Sequence, residues 1–293
     1  MTSGILLLDK PPGVSSNAAL QRVKHLLGAR KAGHVGSLDP LATGMLPICL
    51  DEATKVAGEI LSGRKCYRFT IRLGVRTATG DAEGAVVETA PVPSLAAAAL
   101  EQALQRFTGP QSQVPPMYSA LKVEGQPLYK LARAGLDVPR AGRAIHIHDL
   151  QLVQREEHSL QLSVLCSKGT YVRVLAEDIA RNLGTCGHVT ELRRLYVEPF
   201  TEAAMLTLES ISGLTGKGLR PELLPADAPL QHMPAVHLDP TSVERLFKGQ
   251  AVQREDAPVA GRVRLYDSAS QFIGLGESNG AGRIQPKRML IFE

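Results

Sequence analysis

"RKCYRFTIRLGVRTATGDAEG", running from Arg64 to Gly84, opens as a β-like run and ends in a loop around Asp81. Arg64, Lys65, Arg68, Arg72 and Arg76 surround Tyr67 along it. A solvated edge strand with a turn would need no more. Basic side chains interleaved with a tyrosine are also what a strand needs to neutralise phosphates while offering a ring for a base to stack on. Further β-like runs, "GILLLDK", "GAVVET", "AIHIHDLQLV" and "LQLSVLC", lie on either side. Helical patterns separate them without regular β-α-β alternation. This predicts an α+β fold with a mixed, largely antiparallel sheet.

The helical patterns carry start and stop signals. Ser15, Ser16 and Asn17 can cap "AALQRVKHLLG", which stops at Gly28, and Ser94 can cap "LAAAALEQALQRFTG". In "GTYVRVLAEDIARNLG", Leu175, Ile179 and Leu183 recur every fourth position as one apolar stripe. From Gly213 to Asp239 the sequence is richer in Pro and Gly and reads as a connection. Beyond it, "GRVRLYD", "QFIGLGE" and "GRIQPKRMLIF" read as short strands of a small all-β module. The expected division is a domain over residues 1–242 and a second over 243–293.

The 293 residues are 44% hydrophobic and 21% charged, which is globular rather than disordered. No apolar run approaches the roughly 20 residues needed to span a bilayer. The N-terminal stretch lacks a basic n-region and a small-residue cleavage site, so no membrane association and a cytoplasmic location are expected. Cys49, Cys66, Cys166 and Cys186 are scattered without C-x-x-C or zinc-ligand spacing, and read as reduced thiols. A net charge of +4 suits a polyanionic partner without requiring one.

"KAGHVGSLDPLATGMLP", Lys31 to Pro47, reads as a glycine-rich loop that aims Asp39, because Pro40 pushes the residue before it toward extended geometry. An Asp-Pro pair ordinarily marks a turn whose carboxylate accepts local backbone hydrogen bonds. "QVPPMYSALKVEGQPLYKLARAG" places Tyr118 and Lys122 after a Pro-Pro turn. "CSKGTYVRVLAEDI" clusters Lys168, Tyr171 and Arg173 where a strand turns into a helix. An arginine entering a partly buried site there needs a carboxylate partner. Phosphate-loop, dinucleotide-binding, nucleophile-elbow and zinc-deaminase patterns are all missing. His146 and His148 share one side of a strand, but two ligands do not make a zinc site, so no metal is expected.

Together, "GHVGSLDPLATGMLP", "KCYRFTIRLGVRTATGDAEG", "PPMYSALKVEGQPLYKLARAG" and "CSKGTYVRVLAEDIARNLG" resemble the bacterial TruB-type tRNA pseudouridine-55 synthases in order and spacing. The resemblance runs from "GILLLDKPPGVSS" through "LRRLYVEPF", and the C-terminal strands look like that family's PUA-like RNA-binding domain. It implies the pseudouridine synthase fold, isomerisation of uridine 55 in the T loop of tRNA, binding of the T arm and elbow, no cofactor and no protein partner. By the same resemblance Asp39 is the catalytic aspartate, Arg173 pairs with it, and Tyr67 stacks on the flipped base and assists at C5. Tyr171, Leu192, His34, Asp81 and Lys65 are implied at the substrate. The arginines and lysines around Tyr67 are expected to ease phenolate formation, and Arg262, Arg264, Lys287 and Arg288 to neutralise phosphates from a separable C-terminal module. Val35, Ser37 and Glu198 depart from residues usual in the family. The competing class is an RNA-binding or tRNA-folding protein without catalysis, whose mark would be loss of Asp39, Tyr67 or Arg173. All are present.

Overall fold

The computed structural model describes residues 3–94, 96–201 and 203–291. Its elements begin with β1 (Gly4–Lys10), α1 (Ser16–Leu27), β2 (Ala32–His34), β3 (Thr43–Leu50), α2 (Ala57–Ser62) and β4 (Lys65–Leu73). There follow β5 (Val75–Thr77), β6 (Val86–Thr89), α3 (Ala97–Arg106), β7 (Gly109–Gln113), β8 (Lys122–Val123), β9 (Gln126–Pro127) and α4 (Leu128–Arg133). The first part of the chain closes with β10 (Arg143–Arg155), β11 (Ser159–Cys166), α5 (Val172–Asn182), β12 (Gly187–Val197) and α6 (Leu208–Gly216). The C-terminal part comprises β13 (Ala235–His237), α7 (Pro240–Phe247), β14 (Val252–Gln253), β15 (Gly261–Tyr266), β16 (Phe272–Ser278) and β17 (Arg283–Met289).

The main sheet runs β1-β3-β12-β4-β11-β10-β7, with β2 paired to the side of β3. Its pairs are antiparallel except β3 with β12, which run parallel at Thr43 and Gly44. The sheet is therefore mixed and largely antiparallel, as expected. Alternation along β4 decides which side chains reach the core: Tyr67, Phe69, Ile71 and Leu73 are buried, whereas Arg68 and Arg72 are exposed. The buried set packs under α1, α3 and α5 through Leu20, Val23, Leu100, Leu104, Leu175 and Ile179. Ser15 caps α1 by accepting the Ala18 N–H, and Gly28 ends it in the left-handed conformation. The expected Ser94 cap does not form, because α3 opens later, at Ala97, after Ala96.

β2 and β3 escape the sequence reading. Lys31–Pro47 is not one loop: β2 and the start of β3 occupy both ends, leaving only the middle to present Asp39. One of the glycines that suggest a loop, Gly44, serves sheet packing instead. Gly44 has φ +96, and a Cβ there would lie 2.1 Å from the Arg194 carbonyl oxygen of β12.

The five-stranded C-terminal sheet, ordered β13-β15-β16-β17-β14, takes its first strand from Ala235–His237, upstream of the expected residue 243. It is not a detachable module. Tyr266, Phe272, Leu275 and Leu290 share one apolar cluster with Ile5, Leu7, Met45 and Val197 of the main sheet. Lys55 Nζ donates to the Met289 carbonyl at 2.8 Å, the Ile291 N–H donates to Glu52 at 2.6 Å, and Arg262 pairs with Glu59. The cations expected to face phosphates are largely engaged: Arg262 with Glu59, Arg264 with Gln231 and the Tyr266 hydroxyl, and Lys287 with Glu277. Among the described residues no helix is long and apolar enough to cross a membrane.

Candidate active site

A cavity of about 380 Å³ opens where the Asp39 loop, β4, β12 and the start of α5 converge, with Asp39, Lys65, Tyr67, Tyr171, Leu192 and Arg194 in its wall. Each wall is fixed by identifiable bonds. The Leu38 N–H donates to Ser16 Oγ at 2.7 Å while that hydroxyl donates back to the Leu38 carbonyl at 2.9 Å, so α1 clamps the residue before Asp39. Tyr171, at the start of α5, is held the same way: its N–H donates to Gln113 Oε1 at 2.7 Å and its carbonyl accepts from Gln113 Nε2 at 3.0 Å.

Arg173 ties these walls together. Its Nε lies 2.9 Å from Asp39 Oδ2 and 3.7 Å from Asp81 Oδ2. Nη1 donates to the Thr79 carbonyl at 2.6 Å and Nη2 to the Tyr118 carbonyl at 2.7 Å. The planar guanidinium thus spends its fork on three separate loops. Asp81 is buried behind Arg173, accepting from Thr79 Oγ1 at 2.5 Å and the Glu83 N–H at 3.1 Å, and is not in the cavity wall. Its position suits orientation of Arg173 more than contact with a substrate.

Asp39 keeps 41% of its side chain accessible. Even so, desolvation pushes its carboxyl above the ordinary value; Arg173 and Lys10 pull it down and Asp81 pushes it up. Lys10 is fully buried, donating to the carbonyls of Pro11 at 2.9 Å, Val14 at 2.7 Å and Pro40 at 3.2 Å. Burial lowers its ammonium to about 8, against the opposing pull of Asp39 and Glu83. Lys65 also has its charge inside: Nζ donates to the Leu61 and Gly63 carbonyls, both at 2.6 Å, and burial brings it to about 8.

Tyr67 faces the cavity from β4 and is buried. The expected ring of cations around it is not there, since strand alternation sends Arg68 and Arg72 to the opposite face and Arg64 binds Glu198 at 2.6 Å. Desolvation raises the phenol, opposed first by Arg194, its cross-strand partner on β12. Sequence reading missed Arg194. The signal available was an arginine in "LRRLYV" alternating with Leu192, which a strand assignment would have turned inward.

Leu192 is buried and lines the cavity. His34, at the end of β2, is outside the cavity wall; its Nδ1 is buried without a hydrogen-bond partner, and burial followed by Arg194 lowers its pKa. Val35 packs its side chain into the apolar cluster shared with the C-terminal sheet, and Glu198 is satisfied by Arg64, so both departures are accommodated locally. His146 and His148 stack, with ring centroids 4.3 Å apart.

Comparisons with known proteins agree with this architecture. Residues 24–172 match the TruB family pseudouridylate synthase N-terminal domain, 173–231 the tRNA pseudouridylate synthase B C-terminal domain, and 234–290 the C-terminal domain of pseudouridine synthase II TruB. A Stutzerimonas stutzeri protein named tRNA pseudouridine synthase B is 49% identical, over 98% of this chain and 95% of that relative. One of the same name from Coxiella burnetii is 49% identical, over 98% and 94%. The solved structure of an H/ACA RNP bound to a substrate RNA containing 2'-deoxyuridine superposes a chain with TM-score 0.72 at 20% identity, covering 99% of this chain and 85% of that one, which is a likeness of fold. With its three domain matches and relatives at this identity along nearly its full length, this chain belongs to the TruB family of tRNA pseudouridine synthases, a family of isomerases.

Proposed function

We propose that this enzyme converts uridine 55 in the T loop of tRNA to pseudouridine, with Asp39 as the catalytic carboxylate. The observation that carries the reading is the 2.9 Å pairing of Asp39 with the buried Arg173 at the mouth of a cavity floored by Tyr67 and Leu192. The volume, about 380 Å³, falls in the range of small-ligand sites and accommodates a base taken out of its stack. Flipping costs about a few kcal/mol, which contacts along the T arm and elbow would offset.

In this reading Arg173 keeps Asp39 ionised against the cost of burial and fixes its direction. The ionised carboxylate either attacks C1′ or C6 and is expelled again by the time the product forms, or removes a ribose proton that it returns when C5 bonds to C1′; on each route the bond from N1 to C1′ breaks. The uracil turns against the Tyr67 ring and the Leu192 wall, and C5 bonds to C1′. Loss of the C5 proton then restores the C5–C6 double bond as N1 takes up a proton. Atoms and electrons balance within the substrate, so no cofactor is required. Tyr67, as phenolate, is the acceptor of the C5 proton, and Tyr171 contacts the uracil. Lys65 faces the polyanion from the cavity wall, whereas Asp81 acts through Arg173. His34 meets displaced loop nucleotides by stacking or hydrogen bonding.

The test is incubation of purified protein with an unmodified tRNA transcript, followed by nucleotide-resolution mapping. Pseudouridine confined to position 55 is expected, with Asp39→Asn inactive and its tRNA affinity within a few fold of wild type. Product elsewhere in the tRNA, or turnover by that variant within tenfold of wild type, would overturn the reading. Binding without product would favour the RNA-folding class.

A further inference from the structure

Arg194 is one of the largest fully buried side chains in the chain, only 1% exposed, yet it has no carboxylate partner within ion-pair distance among the described residues. A buried guanidinium with no counter-ion is costly unless its donors are satisfied and its charge is used. Its donors go to the backbone that presents Asp39: Nε donates to the Met45 carbonyl at 2.6 Å, and Nη2 to the Gly36 carbonyl at 2.9 Å. Room for it is built into that loop. Gly36 has φ +70, and a Cβ on it would sit 3.2 Å from Arg194 Nη1; Gly44 accommodates the Arg194 backbone. On its other side, Arg194 is the direct cross-strand neighbour of Tyr67, and both line the cavity.

We propose that Arg194 is a positioning residue for the reaction, coupling the Tyr67 phenol to the loop that carries Asp39. This rests on the reading of Asp39 and Tyr67 given above. One rigid cation bonded to the Val35–Gly36 turn and lying against the phenol fixes the distance between the two groups that act on the flipped uridine. The charge also favours the phenolate needed at C5. The charged or titratable groups around that phenol are Arg194 from β12, Cys166 from β11, Asp39 from its loop and Lys65 two residues before it on β4; of the two cations, Arg194 is the one that acts on the phenol most strongly. A purely structural arginine would stabilise the loop without regard to what Tyr67 does, which separates the two possibilities.

The experiment measures single-turnover pseudouridine formation at saturating tRNA for wild type, Arg194→Lys, Arg194→Met, Tyr67→Phe and the double variants, across pH, with thermal unfolding recorded alongside. The expected result is a loss of roughly a hundredfold for Arg194→Met, about 2.7 kcal/mol, with tRNA affinity within a few fold. Arg194→Lys should recover part of that rate, and the rate should rise at higher pH than in wild type. On the residual rate that remains in the Tyr67→Phe background, the same substitution should cost much less. Equal losses in both backgrounds, an unchanged pH profile, or a lowered Tm with the saturated rate intact would each overturn the proposal. So would failure of both Arg194 variants to fold at the assay temperature, since Arg194 would then be an element of the fold only. A wild-type enzyme that makes no pseudouridine at position 55 would instead overturn the underlying reading.

Discussion

Arg173→Lys keeps the charge and removes the fork, so it isolates what the planar group does. Nε pairs with Asp39, and the two terminal nitrogens donate to the carbonyls of Thr79 and Tyr118, on a side chain only 5% exposed. An ammonium on the lysine stem occupies one point and cannot serve all three directions at once. If it stays with Asp39, two hydrogen bonds to a charged donor are lost, each worth about 1.5–3 kcal/mol. The total, about 3–6 kcal/mol, is divided between the folded state and the reaction. The Thr79 and Tyr118 loops then lose their direct ties to Arg173 beside Asp39, and a loss of a hundredfold in the saturated rate would use about 2.7 kcal/mol of that total. The assay is single-turnover conversion of a T-arm hairpin, with urea unfolding of the same preparation. Expected are a lowered unfolding free energy and a rate reduced by on the order of a hundredfold. Wild-type rate and wild-type stability together would refute the claim that the fork orients Asp39.

Tyr67→Phe and Tyr67→Leu are both expected to fail after glycosidic cleavage; a fully active phenylalanine variant, with no isotope effect from 5-deuterated uridine, would reduce Tyr67 to a stacking platform worth roughly 1–3 kcal/mol. Lys10 titrates at about 8 in the folded protein against an ordinary 10.5, so the unfolded chain binds the extra proton between those values and stability gains as pH rises through that window. Unfolding free energies of wild type and Lys10→Met, measured across the window, should diverge in favour of wild type as pH rises; parallel curves would refute the assignment. Gly44→Ala is expected to cost roughly 2–5 kcal/mol, from the left-handed backbone and the overlap with β12, and near-wild-type urea unfolding would show that β3 and β12 part easily.

Much of the fold was legible because several of its strands follow simple patterns. "GILLLDK" is β1 to the residue, and the helix opened by Ser15 and closed by Gly28 appears with those caps. What hid were β3 and β12, which lie between β1 and β4. β3 contains Gly44 and Pro47, which argue against a strand until Arg194 is known to need the close approach and β1 is seen opposite. β12 has arginines at adjacent positions in "LRRLY", and their sides are separated only by pairing: Arg193 turns to Asp9 at 2.8 Å, while Arg194 turns inward. Burial of a cation against main-chain carbonyls leaves no sequence signature, because every residue supplies a carbonyl. The pairing of Arg173 with Asp39 was legible only through resemblance, since no local spacing links positions so far apart in the chain.

The same kind of contact bears on how a chain with a net charge of only +4 keeps several basic side chains at its candidate site. Many surface cations are cancelled where they stand. Arg64 is neutralised by Glu198, Arg76 by Glu88, Arg193 by Asp9, Arg262 by Glu59 and Lys287 by Glu277. At the cleft the arrangement reverses: Lys65 and Arg194 in its wall, and Lys10 buried near Asp39, are bonded to carbonyl oxygens, which satisfy their donors without an acidic partner. Asp39 is the acidic side chain in the cavity wall, and Arg173 is paired with it. Low-dielectric walls strengthen the field of the remaining cations, so a phosphate backbone is drawn to the cleft itself. The C-terminal sheet contributes less through free charge than its sequence suggests and more through packing. Tyr266, Phe272 and Leu275 press against the same apolar cluster that holds Val35 and Met45, immediately behind the Arg194 contacts. Removing that sheet is expected to uncover the support of the Asp39 loop, so truncation at Gly261 should lower the saturated rate as well as the affinity for tRNA.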